Sequence, residues 1–304
     1  MNKQLIGVTV LSVTMCFFII IGSGVARGQA LYDPPICADD LDAGQRLGIN
    51  KAKHSAAGNS QEWGYDLLGY RHASGRDWSR LLKDRKGPAN NDYVIYNKPV
   101  YAMAAGTVIA CWRNAEENES AGATHKNRSD KRIAVGGNFL WVEEDDGERV
   151  FYADAIPGTI PARLCPHNAA LLASPDGNLQ MPVESHVPVV DRARVAAGEF
   201  LMRVGNSCKS SEPHLHIHKV DSAGAARQLN FRRCLFSPLT NSSSDPRGSA
   251  DLNDWRSYAR NPLPQGPALI WSPRRLEAEY VRHGLKFSGF QRPVVMRRSS
   301  SRTE

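Results

Sequence analysis

The chain has 304 residues, of which 41% are hydrophobic and 23% are charged, and its formal net charge is +7 at pH 7. This composition is typical of a soluble globular protein with room for one large or two modest domains. The basic residues are scattered and no nucleic-acid-binding motif occurs, so we expect no nucleic-acid partner. None of the six cysteines stands in Cys-x-x-Cys spacing, which argues against a thiolate zinc site.

Residues 1–30 differ from the rest of the chain. Leu5–Val25 is a run of 21 residues without a charge, with a lysine before it and small residues near Ala26 or Ala30, as in a secretory signal. The run is also just long enough to span a bilayer, so an uncleaved N-terminal anchor is the alternative. In both cases we expect an exported protein, periplasmic or extracellular. Without residues 1–30 the net charge is +5, which suits an anionic cell-wall polymer or a membrane surface.

Five cysteines lie outside that segment: Cys37, Cys111, Cys165, Cys208 and Cys234. An oxidising compartment favours disulfides, and the odd count leaves one thiol over. Sequence alone does not determine the pairing. We expect Cys208 to pair with Cys234, and Cys111 with Cys165.

The first half of the exported part alternates strand-like and polar stretches. Residues 31–58 are rich in Asp, Ala, Gly and Pro and predict an irregular lead-in. Residues 70–98 predict a polar insertion that acts as a surface lid, with a short helix around Asp77–Lys83. Pro99–Trp112 has β-branched and apolar residues around a Gly turn, which predicts two strands in a hairpin. Asn114–Asp130 has no apolar periodicity and predicts an exposed, mobile loop.

Two further stretches have clear turn or breaker signals. Residues 138–144 and 149–154 flank Asp145-Asp146-Gly147, which predicts a β-hairpin. Residues 156–190 contain six prolines, so no long regular element is expected there.

The C-terminal part, residues 237–296, is predicted to be an extension of the main domain. It begins with a polar linker and carries short amphipathic helices at 252–260 and 274–283. Residues 297–304 are predicted to be a disordered tail.

The most informative stretch is Val204–His218. It opens with Gly-Asn-Ser and Ser-Ser-Glu-Pro, which predict a tight polar loop. It ends in the alternation His-Leu-His-Ile-His, whose period of two predicts a strand with Leu215 and Ile217 on one face and three histidines on the other. Same-face neighbours are about 6.5 Å apart. Two imidazoles at that spacing can converge on one site, as a metal ligand and a proton shuttle.

The segment Gly-Asn-Ser-x-x-Ser-Ser-Glu-Pro-His-Leu-His resembles the last signature of the lysostaphin-type zinc endopeptidases, which cut peptide cross-links in bacterial cell walls. The resemblance implies that His216 is a zinc ligand and that His214 is the general acid/base. Cys208 stands where that loop usually has Gly. The Pro99–Trp112 and Val195–Gly205 stretches also resemble core strands of the family.

Four segments in family order across residues 61–220 imply a mainly β fold. The expected architecture is the antiparallel sheet core of the lysostaphin-type peptidases, the duplicated hybrid motif, in a domain at residues 59–236. Long loop insertions and a few short helices complete the expected fold.

Two positions depart from the family pattern. Gly64-Tyr65-Asp66-Leu67 matches the second half of the first signature, so the resemblance implies that Asp66 is the carboxylate ligand. Glu62 stands at the position of the His ligand, and a Glu binds zinc through oxygen. Asp154 replaces an active-site His of the family, which helps to stabilise the transition state. A carboxylate there repels a developing oxyanion unless it is protonated.

Two hypotheses therefore remain. The first is an exported zinc metalloendopeptidase in which Glu62, Asp66 and His216 bind Zn²⁺ and peptidoglycan peptides are hydrolysed by metal-activated water. The second is a catalytically degenerate member that binds the cell wall or activates other cell-wall hydrolases. A nucleophilic Ser or Cys is disfavoured because the loop lacks a nucleophile-elbow pattern. Membrane contact is expected only through the N-terminal segment.

Overall fold

The computed structural model describes residues 31–49, 57–75, 77–83, 89–122, 137–166, 186–207, 210–231, 234–240, 247–250, 256–258, 261–262 and 267–271. The predicted leader (1–30), the second predicted C-terminal helix (274–283) and the predicted tail (297–304) lie outside these residues. In the described ranges no helix is long and apolar enough to cross a membrane.

The described residues form short β-strands joined by loops, with 3₁₀ turns at Ala38–Asp40, Asn90–Asp92 and Val189–Asp191. The strands are β1 Leu31–Tyr32, β2 Gln45–Ile49, β3 Tyr65–Ser74, β4 Asp77–Ser79, β5 Pro99–Tyr101, β6 Gly106–Trp112, β7 Phe139–Glu144, β8 Arg149–Ala153, β9 Arg194–Val195, β10 Phe200–Arg203, β11 Leu215–Val220, β12 Ala226–Arg227, β13 Asn230–Phe231, β14 Cys234–Pro238, β15 Arg247–Ser249, β16 Arg256–Tyr258, β17 Asn261–Pro262 and β18 Ala268–Trp271. The predicted fold class, mainly β, is confirmed.

One large sheet dominates the molecule. Its main path runs in the order β16, β14, β18, β2, β3, β11, β8, β7, β6, β9, with β4, β12 and β15 attached beside it. Its pairings are antiparallel, as predicted. A three-stranded sheet β1-β13-β17 and a two-stranded sheet β10-β5 complete the described architecture.

Strand β11 lies in the middle of the large sheet, between β3 and β8. Its residues alternate between two faces, as the period of two predicted. Leu215 and Ile217 are fully buried in the main hydrophobic core. His216 and His218 lie on the opposite face, where Phe151 packs. The histidine face of β11 is therefore the face that carries the predicted site.

The two predicted hairpins have different outcomes. Strands β7 and β8 pair around a turn with Gly147 at φ 86°, so that hairpin is confirmed. The predicted hairpin within Pro99–Trp112 is wrong, because β5 pairs with β10 whereas β6 pairs with β7 and β9. Gly106 does not make a turn. A Cβ there would lie 2.5 Å from the carbonyl oxygen of Glu143, so the glycine permits close approach of two backbones.

The segment that follows β3 is part of the sheet and not a surface lid. The helix predicted around Asp77–Lys83 is wrong: β4 occupies its first residues and pairs with β3 and β15. Trp78 is buried in a cluster with Tyr70 and Leu239, which ties the segment to the fold. Arg80, directly after β4, is also buried.

Other stretches predicted to be irregular also contribute to the architecture. The lead-in supplies β1 and β2, and β2 pairs with both β3 and β18. Residues 256–258 form β16 where a helix was predicted. In the predicted exposed loop at residues 114–130, Ala115 and Asn118 are buried. The domain boundaries at residues 59–236 and 237–296 remain predictions.

A disulfide joins Cys111 on β6 to Cys165, and this predicted pair is confirmed. Cys208 lies outside the described residues and the side chain of Cys234 is not described. The pairing of Cys208 with Cys234 therefore stays a prediction.

Candidate functional site

Three neighbouring strands bring the predicted site residues together. Asp66 on β3 is the direct cross-strand partner of His216 on β11, and on the other side of β11 the partner of His216 is Ala153. Asp154 follows Ala153 at the end of β8, and His214 precedes the first residue of β11. Cross-strand partners have Cβ atoms about 5 Å apart, so this register places the acidic and imidazole groups in contact.

The four side chains form one chain of polar contacts. Asp66 Oδ1 lies 2.9 Å from Nδ1 of His216 and 3.5 Å from Nε2 of His214. Asp154 Oδ2 lies 3.3 Å from the same Nε2 of His214. Asp66 is 21% exposed, whereas the side chains of Asp154, His214 and His216 are between 6% and 12% exposed. A ligand therefore reaches the cluster mainly through Asp66.

The backbone of Asp154 is left-handed, with φ 70°. Asp and Asn tolerate this region better than other non-glycine residues. The conformation ends β8, and the carbonyl of Asp154 accepts a hydrogen bond from the amide of Gly205 at 2.9 Å. The same turn leaves the Asp154 carboxylate within reach of His214.

His214 is held between a carbonyl and two carboxylates. Burial lowers the pKa of His214, but the nearby charges of Asp66 and Asp154 outweigh burial and raise the pKa to about 9. The imidazole is then protonated at neutral pH. In the metal-free chain these neighbours favour the protonated imidazole, which donates protons.

His216 has partners on both ring nitrogens. Nδ1 faces Asp66, and Nε2 lies 2.9 Å from Nδ1 of His218. His218 is fully buried and its ring is 5.1 Å from that of Trp141. A carboxylate only accepts hydrogen bonds, so Nδ1 of His216 carries a hydrogen toward Asp66 and Nε2 accepts from His218.

Glu62, the third predicted ligand, is engaged elsewhere. Its Oε2 accepts a hydrogen bond from the backbone amide of Gly58 at 2.9 Å, within the turn that precedes β3. The turn is closed by a backbone bond from Glu62 to Asn59 at 2.9 Å. Glu62 is therefore a turn residue in this structure.

The donor set does not fit a zinc site as it stands. A structural or catalytic zinc ion needs at least three protein ligands in tetrahedral arrangement. Within the described part of the chain, no group of three or more His, Cys, Asp or Glu side chains is arranged to hold a metal ion. Asp66 and His216 are adjacent as predicted, with 2.9 Å between Oδ1 and Nδ1, but the described residues place no third ligand beside them.

A polar frame holds the loop that leads into β11. Asn206 donates to Asn90 at 2.8 Å through its side chain and to Glu117 at 2.8 Å through its backbone amide. Asn118 donates to the carbonyl of Ser210 at 3.0 Å. Sequence reasoning missed these residues because they lie in stretches that look like exposed loops.

Three further residues near the site were not assigned from the sequence. His218 had a visible signal, since the strand period places it on the face of His216. Glu212 stands within the signature itself and forms an ion pair with Arg80. No sequence pattern pointed to Arg80 as a partner of Glu212, because 132 residues separate the two.

No protein-family model matches the chain, and no curated protein matches it. Solved structures do resemble it. A chain of the SpoIIIAH–SpoIIQ complex is 12% identical, with 64% of this chain and 96% of that chain covered and a TM-score of 0.31. The catalytic domain of lysostaphin from Staphylococcus simulans is 14% identical over 59% of this chain and 86% of that chain, with a TM-score of 0.24.

A putative M23 peptidase from Pseudomonas aeruginosa is 16% identical, covering 64% of this chain and 53% of that chain, with a TM-score of 0.24. Structural neighbours at low identity thus include lysostaphin-type peptidases and chains of complexes that contain SpoIIQ. At these identities and TM-scores the likeness carries no argument about activity.

Proposed function

We propose that this protein is an exported, non-catalytic relative of the lysostaphin-type peptidases that binds peptidoglycan peptides. It keeps the strand arrangement that brings Asp66, His214 and His216 together. It uses this site for recognition, to attach to the cell wall or to bring other cell-wall hydrolases to their substrate.

The observation that supports this proposal is the contacts made by Glu62 and Asp154, the two positions that depart from the family pattern. Glu62 is bonded into its own turn, and Asp154 is paired with His214. A carboxylate at Asp154 disfavours the negative charge that develops on a cleaved peptide bond. Two changes that both oppose hydrolysis favour a binding role on the same scaffold.

The charges of the site suit a neutral or amine-bearing peptide. Asp66 is the most accessible member of the cluster, and a carboxylate accepts hydrogen bonds from peptide N–H or ammonium groups. The remaining charges balance within the cluster, since His214 lies between Asp66 and Asp154. Recognition would then depend on Asp66 more than on the buried histidines.

Sedimentation with purified peptidoglycan tests this function. The full-length chain, in mild detergent, should pellet with peptidoglycan, and Asp66→Asn should weaken binding at least about tenfold, a loss typical for one charged contact. Asp145→Asn is the matched control, because Asp145 is exposed and paired with Arg194 away from the cluster. Equal binding by Asp66→Asn and wild type, or no binding by either, would contradict the proposal.

A working zinc endopeptidase is the second candidate, favoured by the 2.9 Å approach of Asp66 to His216. Metal analysis separates the two functions. We expect the wild-type chain to retain no stoichiometric zinc after exposure to zinc and dialysis, and Glu62→His to raise zinc toward about one per chain. About one zinc in the wild type, lost in His216→Ala, would favour the enzyme. Release of peptides from peptidoglycan by the wild type would establish it.

Export is part of the proposal and has its own test. The predicted leader and the confirmed Cys111–Cys165 disulfide both suit an oxidising compartment. Cell fractionation, with mass spectrometry of the N-terminus, should find the chain outside the cytoplasm. The N-terminus will show whether residues 1–30 are cleaved or retained as an anchor. Recovery of the chain in the cytoplasm with reduced cysteines would contradict export.

A further inference from the structure

The orientation of His214 depends on a backbone carbonyl two residues earlier. Nδ1 of His214 lies 2.8 Å from the carbonyl oxygen of Glu212 and 3.0 Å from Oγ of Ser210. Ser210 donates its own hydroxyl hydrogen to the same carbonyl at 2.6 Å. A carbonyl only accepts, so Nδ1 carries a hydrogen, and Nε2 points toward Asp66 and Asp154. A contact that fixes the position of the Glu212 carbonyl therefore also fixes the orientation of the His214 ring.

The side chain of Glu212 is what turns this part of the loop inward. Its Oε1 accepts a hydrogen bond from Nη1 of Arg80, and the two side chains are 16% and 4% exposed. Ser211 before it is exposed, although its carbonyl accepts a hydrogen bond from the amide of Gly122 at 2.7 Å, and Pro213 after it has no amide hydrogen to donate. The ion pair thus fixes the loop at the residue whose carbonyl orients the imidazole.

Arg80 is itself anchored independently of the loop. It follows β4, which pairs with β3 and β15, and its carbonyl accepts a hydrogen bond from the amide of Val94 at 2.9 Å. The guanidinium therefore projects from the sheet, and the loop is attached to it. The segment predicted to be a surface lid in fact supplies a fixed point for the site.

We propose that Arg80 and Glu212 are positioning residues that hold His214 in the orientation in which it contacts Asp66 and Asp154. This inference deepens the proposed function and rests on the same site. Loss of either side chain removes the buried ion pair that joins Glu212 of the loop to Arg80. The loop would then rotate the surviving group toward water, and the Glu212 carbonyl would move away from Nδ1 of His214.

Histidine NMR on the full-length chain in detergent, with ¹⁵N only on histidine, tests this inference. His214→Asn identifies the signals of His214 among the nine histidines. We expect Glu212→Ala to make the Nδ1 proton of His214 exchange with water at least about tenfold faster and to shift its ring resonances. Arg80→Met should do the same. Glu212→Gln, which keeps an oxygen acceptor for Arg80, should stay within about twofold of wild type.

The controls separate positioning from general stability. Arg194→Met breaks an exposed ion pair with Asp145 and should leave the His214 signals unchanged. The inference is overturned if folded Glu212→Ala keeps the wild-type exchange rate, even with a lower melting temperature. It is also overturned if Glu212→Gln moves the ring as much as Glu212→Ala does. If Arg80→Met does not fold, these two Glu212 variants decide.

The NMR readout requires no peptidoglycan, so its outcome is independent of the sedimentation test. If His214 moves in Glu212→Ala but no chain pellets with peptidoglycan, the positioning inference stands and the proposed function fails. If the wild type pellets and Glu212→Ala leaves His214 in place, the proposed function stands and the positioning inference fails.

Discussion

At the scale of single residues, the centre of the site is an imidazolium between two carboxylates. Asp66 and Asp154 both lie within 3.5 Å of Nε2 of His214. Each charged contact inside a partly buried cluster is stronger than the same contact in water. The cluster therefore stabilises the fold through the protonated form of His214.

This gives a prediction for the pH dependence of stability. The pKa of His214 is raised to about 9 in the folded chain, from 6.5 when exposed, so its contribution is complete below pH 6.5 and disappears as pH rises through 9. The difference in pKa corresponds to about 3 kcal/mol at most. Urea unfolding in the presence of a chelator should show the free energy of unfolding falling between about pH 6.5 and 9.5.

His214→Asn is the control, because every other titrating group remains. The difference between wild type and this variant should shrink over the same pH range. A constant difference from about pH 6 to 9.5 would show that His214 has an ordinary pKa in the folded chain.

The members of the site could be predicted where a short sequence pattern contains them. Asp66 and His216 were expected to meet, and their 2.9 Å contact follows from the pairing of β3 with β11. The contacts of Glu62 could not be predicted, because a Glu side chain at this position can either bind a metal ion or accept a hydrogen bond from a nearby backbone amide. It bonds to the amide of Gly58 in its own turn, which is a contact between near neighbours.

At the scale of elements, close approach of two backbones explains why two positions are glycine better than turn propensity does. Gly106 begins β6 directly against β7, and Gly205 lies against the backbone of Ala155 and Ile156. Both were predicted to lie in turns or loops, yet neither has a positive φ. Here glycine is needed for the space that its missing side chain leaves.

Gly106→Ala should destabilise the chain. The new Cβ would lie 2.5 Å from the carbonyl oxygen of Glu143, which cannot move without disturbing the β6–β7 pairing. We expect a loss of about 2 kcal/mol in the free energy of unfolding, measured in urea. The neighbouring change Thr107→Ala should cost less than about 1 kcal/mol. Equal costs would show that the strands separate easily at Gly106.

The Cys111–Cys165 disulfide joins β6 to a turn 54 residues later. Closing a loop of that length stabilises a protein by about 4 kcal/mol in the chain-entropy model. The double variant Cys111→Ser with Cys165→Ser should therefore unfold at much lower urea. Reductant should lower the stability of the wild type and leave the double variant unchanged. A double variant as stable as the oxidised wild type would contradict this account.

At the scale of the whole molecule, a buried charged cluster ties the first described strand to the sheet. The hydroxyl of Tyr32 on β1 donates to Glu144 on β7 at 2.5 Å. Lys219 on β11 lies 3.2 Å from the same carboxylate and also contacts the Tyr32 hydroxyl. Its side chain is 1% exposed and also forms an ion pair with Glu148, so the charge depends on these three partners. The cluster fixes strand β1 to the centre of the sheet.

Tyr32→Phe removes one hydroxyl and keeps the ring. We expect a loss of about 2 kcal/mol in the free energy of unfolding, since a buried carboxylate and a buried ammonium each lose a partner. Tyr101→Phe is the matched control, because its hydroxyl makes a longer 3.3 Å bond to Asp40 that is only partly buried. A smaller loss for Tyr32→Phe than for Tyr101→Phe would contradict the importance of the cluster.

The sequence by itself determined features that depend on near neighbours. The period of two in Leu215–Val220, the hairpin turn at Gly147 and the mainly β character all follow from local backbone preferences and local alternation. The resemblance of the signature segments implied that Asp66, His214 and His216 lie close together, and both histidines are within 3.5 Å of Asp66.

Only the tertiary structure decided the pairing of β5, the strand at Asp77–Ser79 and the contact of Arg80 with Glu212. These features join residues far apart in the chain, and the free energy of such contacts depends on the path of the whole sheet. A polar stretch has the same composition whether it is a surface loop or a strand buried by its partners. The distinction appears only when the partners are in place.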